Sequence, residues 1–157
     1  MRPTTRLHKV LRTALGVAVL GGAVLPAFAA LGGDATSVAN DVAKMKGQAR
    51  ATAAAGYTVS EITLPSGTVV REYISPGAKV FAVTWKGMMP PDLQQTLGTY
   101  FEQWKAAAAT APREGHHHLT VRQPDLVVST GGHMRAWKGV AYVPSLLPPN
   151  FPLDEIK

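Results

Sequence analysis

The stretch YTVSEITLPSGTVVREYISPGAKVFAVTW, residues 57–85, decides how this chain folds. Its period is two, and it falls into three runs at residues 57–64, 68–74 and 79–85, separated by Pro65-Ser66-Gly67 and Ser75-Pro76-Gly77. Proline presets φ for a turn and glycine supplies the positive φ that a reversal needs, so both separators are turn chemistry. Three alternating runs joined by two short turns predict an antiparallel meander. In the third run Phe81, Val83 and Trp85 share one face while Val80, Ala82 and Thr84 share the other, so at least one face is core. In the second, Arg71 and Tyr73 alternate with Val70, Glu72 and Ile74, which predicts an edge or solvent face bearing charge.

Working outward, Met88-Met89-Pro90-Pro91-Asp92 reads as a helix start, with prolines suited to a first turn and Asp92 complementing the positive helix end. Leu93, Leu97, Tyr100, Phe101 and Trp104 then lie on one helical face, a stripe expected to pack on the sheet. Residues 106–115 fray into a loop, strand character returns at 119–122 and 126–129, Thr130-Gly131-Gly132 reads as a turn, and residues 133–142 read as a longer strand. Pro144, Pro148, Pro149 and Pro152 make the C-terminus an extended tail, lying over the domain or protruding from it. Upstream of the meander, Val38, Val42 and Met45 predict a thin amphipathic helix capped by Asp34 or Thr36, and residues 51–56 its end and a connector. The expected class is α+β: an antiparallel sheet of about five strands, meander then hairpin, with one amphipathic helix on a face and a weaker N-terminal helix.

The N-terminus carries Arg2, Arg6, Lys9 and Arg12, an apolar run from Leu15 to Leu25, Pro26 and then Ala27-Phe28-Ala29. A basic region, an apolar core and an A-x-A site predict a secretory signal peptide, cleaved after Ala29 or Ala30. The competing reading, an uncleaved anchor, is weakened by the glycines and Pro26 in that run. The expected organisation is a leader at 1–29, one domain at 30–143 and a Pro-rich tail at 144–157. The destination is the periplasm or the medium, with no membrane span after cleavage. Four of the sixteen Lys and Arg lie in the leader, so the formal +6 falls to near +2 for a processed chain, and no basic cluster interleaved with aromatics points to nucleic acid. With no cysteine, thiol nucleophiles, Cys-ligated zinc and disulfides are excluded.

The histidines carry the candidate chemistry. His116, His117 and His118 could grip a divalent transition metal from a loop, although adjacent strand residues face opposite ways and the bland reading is a polar loop tip with adventitious binding at most. No other cofactor is expected. Alternation after the double glycine would set His133, Arg135 and Trp137 on one face, as the cationic wall of a ligand pocket or as an ordinary hairpin with Arg135 paired to Glu72 or Asp125. Ser129 and Thr130 lie near His133 and Asp125 in sequence, but no nucleophile elbow or Ser-x-x-Lys signature accompanies them, and catalytic residues are unassigned. Glu61 and Glu72, on neighbouring runs, follow no spacing rule for a catalytic carboxylate pair.

Several blocks carry a resemblance: Ala30-Leu31-Gly32-Gly33, TLPSGTVVREY from Thr63, VFAVTW from Val80, Pro91-Asp92-Leu93 and, most distinctive, PDLVVSTGGHMRA from Pro124. Together they resemble the exported bacterial proteins grouped as domain of unknown function 2844, over nearly the whole processed chain. The resemblance implies a Gram-negative envelope protein with no assigned activity, catalytic residues or cofactor. The triple histidine stands outside the family pattern. The expected function is a non-enzymatic module that binds or helps assemble another envelope component, protein or polymer. The alternative is a small envelope enzyme or metal-binding protein using His133 and Arg135.

Overall fold

The computed structural model describes residues 31–112 and 117–156, so the expected leader, its cleavage site and His116 lie outside the described residues. A short 3-10 turn, Ala35–Ser37, leads into α1 (Val38–Lys44). Four strands follow, β1 (Gln48–Ala54), β2 (Tyr57–Thr63), β3 (Val69–Ile74) and β4 (Val80–Gly87). Next come α2 (Leu93–Leu97), a 3-10 turn at Gly98–Tyr100 and α3 (Phe101–Thr110). The chain returns through β5 (His118–Gln123), β6 (Leu126–His133) and β7 (Ala136–Tyr142), then ends in 3-10 turns at Pro144–Leu146 and Leu153–Glu155.

All seven strands form one antiparallel sheet in the order β1-β2-β3-β4-β7-β6-β5. The first four make the meander. The helical segment carries the chain to the far edge, and the last three strands run back to place β7 against β4. The sheet is thus α+β as expected, with seven strands in place of about five.

Three differences from the sequence expectation have physical causes. Residues 51–56 are expected as a helix end and connector, but Gln48–Ala54 form β1, alanine-rich and exposed at all seven positions. With no buried face there is no period to read. The strand is held by its ladder to β2, closed by the Ala55-Gly56 turn, where Gly56 takes φ 84°. Second, the helix expected through residues 93–104 breaks at Gly98, whose φ of 53° and ψ of −123° only glycine adopts freely. The stripe survives the break, because Leu97 is buried and Leu93, Tyr100, Phe101 and Trp104 pack against the same core.

Third, Thr130-Gly131-Gly132 lies within β6, and the reversal comes at Met134 and Arg135, the latter at φ 66°. The glycines serve close approach. A Cβ on Gly132 would lie 2.2 Å from the Ala136 carbonyl oxygen, and one on Gly131 2.6 Å from His118 Nδ1.

The ladder registers sort side chains onto two faces. On the helix side one row reads Ser60, Glu72, Val83, Ala141, Val128, Val121, and the next Ile62, Val70, Trp85, Gly139, Thr130, Leu119. These apolar residues join Leu31, Leu97, Leu126 and Val143 in the main core beneath the helices. Gly139 leaves room for the Trp85 ring, which a Cβ there would meet at 2.1 Å. On the outer face a second cluster forms around Tyr73, Phe81 and Ala82. It is covered by the C-terminal segment, whose Leu146, Leu147, Phe151 and Ile156 pack on it. Phe151 meets Phe81 and Tyr57 edge-on, with centroids 4.9 and 5.2 Å apart, and the Tyr57 hydroxyl donates to Glu155. The tail therefore lies over the sheet.

Candidate functional site

The tail covers only part of the outer face. Three parallel rows of side chains cross that face. The first, Val59, Tyr73, Ala82, Tyr142, Val127, is the aromatic ground on which the tail sits. The second reads Glu61, Arg71, Thr84, Val140, Ser129, Thr120, and the third Val69, Lys86, Lys138, Gly131, His118. Over these last two rows lies a cleft of about 450 Å³, bordered at the tail side by Ile156. That volume is within the range of small-molecule sites.

The wall chemistry is asymmetric. Lys86 and Lys138 stand directly opposite each other on β4 and β7, both exposed. Among the described residues neither has a carboxylate partner. Arg71, one strand over, is held at 2.8 Å by Glu61. At the other end His118 Nε2 is 3.3 Å from Thr120 Oγ1, which is 3.3 Å from Ser129 Oγ, so imidazole and hydroxyls form one connected run. Gly131 contributes no side chain between Lys138 and His118, and the His118 ring packs over it, where a Cβ would lie 2.6 Å from Nδ1. Val69 and Val140 supply the apolar part.

The residues singled out from sequence are dispersed. His133 and Arg135 are exposed at the β6–β7 reversal, with His133 Nδ1 3.3 Å from the Met134 carbonyl oxygen. Trp137 follows Gly139 and Ala141 onto the helix-side face, so alternation from His133 does not carry through the turn and the three do not form one wall. Glu72 and Asp125, offered as partners for Arg135, are engaged elsewhere: Asp125 accepts from Ser145 N at 3.0 Å and Ser145 Oγ at 2.9 Å. Ser129 bonds Thr120 and stands four residues before His133 on β6. His117 sits edge-on to Trp137, ring centroids 6.4 Å apart, while His118 faces the cleft, so adjacent histidines do point apart. Among the described residues no three His, Cys, Asp or Glu side chains gather as a metal site would require.

A second polar feature lies under the helices. Glu72 of β3 and Asp41 of α1 are both fully buried, on the side of the sheet opposite the cleft. Burial, together with the charge and hydrogen bond of Asp41, pushes Glu72 up to about 9. Asp41 is also raised by burial, against the hydrogen bond from Gln95 Nε2 at 3.4 Å to its Oδ1. Oδ2 of Asp41 and Oε2 of Glu72 find no donor among the described residues. A proton kept on Glu72 supplies the donor that two ionised carboxylates would lack, making this a protonated acid paired with a carboxylate. Glu61, on the outer face, has no part in it.

Sequence reasoning missed both groupings. The signal for Glu72 was present, since it shares parity with Val70 and Ile74. The signal for the cleft was the parity of Arg71, Thr84 and Lys86, obscured because β4 is buried on both faces from Val80 to Trp85.

Among curated proteins none matches this chain, and no solved structure does. A family model matches residues 27–156, nearly the whole chain, and by that match the chain belongs to the family described as protein of unknown function (DUF2844).

Proposed function

We propose that this protein is an exported, non-enzymatic binding module of the bacterial envelope, and that the outer-face cleft is where it takes its ligand. The observation that carries the reading is the uncovered half of the outer face. There the sheet presents two lysines, a histidine and hydroxyls around a floor of glycine and valine, in a volume suited to a small molecule or one residue of a polymer. A seven-stranded sheet suits recognition, since its paired backbone needs no reordering on binding. Export is supported by the three-part N-terminal pattern. No helix among the described residues is long and apolar enough to cross a membrane.

Native mass spectrometry of the chain recovered from an osmotic-shock fraction tests the reading. The expected result is a polypeptide beginning at Ala30 or Leu31, carrying extra mass that survives gentle ionisation and disappears when Lys86 and Lys138 are both changed to Gln. A full-length mass confined to the membrane fraction would remove export. Extra mass retained when Ser129, in the cleft wall, is changed to Trp would remove the cleft.

A further inference from the structure

We infer that the ligand of this cleft carries an oxyanion, a carboxylate or a phosphate, gripped between Lys86 and Lys138 and approached from the other side by His118 and Ser129. The inference rests on the binding-module reading above and gives that site its ligand chemistry.

Lys86 and Lys138 are direct cross-strand partners, and facing residues of an antiparallel pair have Cβ atoms about 5 Å apart. Like charges so placed work against the fold, and the ordinary remedy is an interleaved carboxylate. The same face contains that remedy one row away, where Arg71 on β3 meets Glu61 on β2 at 2.8 Å. The lysine row has none: along Val69, Lys86, Lys138, Gly131 and His118 no acid occurs. Glu61, in the neighbouring row, is the acid nearest in register and already serves Arg71.

The donor inventory points the same way. Each ammonium offers three N–H donors and no acceptor, so two of them facing one space ask for a group rich in lone pairs. The Ser129 hydroxyl adds a donor that a carboxylate or phosphate oxygen can accept. Gly131 lets the His118 ring pack down against the sheet beside Lys138, since any other residue would bring a Cβ to 2.6 Å from its Nδ1. Val69, Val140 and Ile156 border the rest together with Thr84 and Arg71, the latter engaged by Glu61, so the body attached to the oxyanion meets a largely apolar wall. The chain as a whole carries only a modest excess of cations once its leader is set aside, which makes this a local site and distinguishes it from a general affinity for polyanions.

The test uses three ligands with one body and different heads: glucuronate, glucose 6-phosphate and glucose. Each is titrated into the purified 15N-labelled chain and followed by the amide signals of Lys86, Gly131 and Lys138. Saturable shifts with either anion, absent with glucose, are expected, and the stronger anion identifies the source of the charge. Changing Lys86 and Lys138 together to Gln should weaken binding about tenfold or more, and raised salt should do the same in the unaltered chain. Because both side chains are exposed, the double variant should keep its dispersed spectrum and show that the fold is intact. Equal shifts with glucose would overturn the oxyanion while leaving the cleft a binding site. No saturable shift with either anion, or equal anion affinity in the double variant, would also overturn it. Retention of an uncharged mass in the native spectrum would then show that the module reading had survived alone.

Discussion

The outer face of this sheet has two halves built on the same strands, and they differ in everything but backbone. Over Tyr73, Phe81 and Tyr142 the chain lays its own C-terminus, closing an aromatic cluster with Phe151 and Leu147. Two rows away, over Lys86 and Lys138, no segment of the described residues lies, and the tail reaches only the border at Ile156. Apolar area demands cover, and within one chain the cheapest cover is a tethered segment whose prolines already restrict it. A cationic row with hydroxyls makes no such demand, since water solvates it. The covered half belongs to stability, the open half is where we propose recognition, and each can be attacked separately.

Among truncations in the two halves, the largest effect should come from Phe81, wholly buried at the centre of the covered half. Phe81→Ala should cost about 3–5 kcal/mol, read as a shift in the urea midpoint, whereas Lys86→Ala should stay within about 0.5 kcal/mol. Comparable losses would erase the division between the halves.

Next comes the pair beneath the sheet, which offers a contrast in where charge is tolerated. The Glu72 carboxyl titrates near 4.5 when unfolded and is pushed up to about 9 when folded. Below pH 4.5 both states hold the proton, and between 4.5 and 9 only the folded state does. The folded state binding more protons means that stability falls as pH rises through this window, by at most about 1.4 kcal/mol per pH unit, and levels off above it. Asp41, raised by its burial, adds in the same direction. Glu72→Gln keeps a donor for Asp41 without the titration, so its melting temperature should exceed the parent's at alkaline pH and vary less between acid and alkali. Parallel curves for the two proteins would show that the proton is not where burial places it.

Phe151→Ala sharpens the comparison from the tail's side. Phe151 is half-buried, so its loss should cost about 1–2 kcal/mol. It should also raise hydrogen exchange in the final turn at Leu153–Glu155, because Phe151 and the Tyr57–Glu155 hydrogen bond hold that turn down. Since Ile156 borders the cleft, the same change should alter anion affinity while Phe81→Val, deeper in the cluster, should leave it alone. Unchanged exchange would mean that the tail is held by other contacts.

What could be read from sequence followed the strength of burial. The meander at residues 57–85 was plain because its turns carry proline and glycine and its runs alternate. The stripe from Leu93 to Trp104 was equally plain, although Gly98 broke the helix without breaking the stripe. β1 was illegible because no side chain of Gln48–Ala54 is buried, and pattern reading depends on burial. Thr130-Gly131-Gly132 misled because two uses of glycine look alike in sequence: here the pair admits His118 and Ala136 and the chain turns two residues later. The cleft was hidden for a different reason. Its residues come from five strands, and only the ladder order, with β7 beside β4, sets Lys138 against Lys86.

That juxtaposition supports the smallest and most discriminating prediction. If Lys86 and Lys138 oppose each other across β4 and β7, removing one charge should relieve repulsion. Lys138→Gln should raise stability by a few tenths of a kcal/mol at low salt, with the gain disappearing at high salt, where exposed charges are screened. Adding a binding anion should stabilise the parent and leave the variant nearly unmoved, because a ligand that prefers the folded state raises its melting temperature by mass action. The expected order therefore inverts with conditions: the variant is the more stable without the anion and the parent is the more stable with it. No aromatic substitution in the covered half should produce that inversion, since the cover there is the chain's own tail. A Lys138→Gln variant that is less stable than its parent at low salt would show that the two ammonium groups do not burden each other, and would remove the reason for expecting an anion between them.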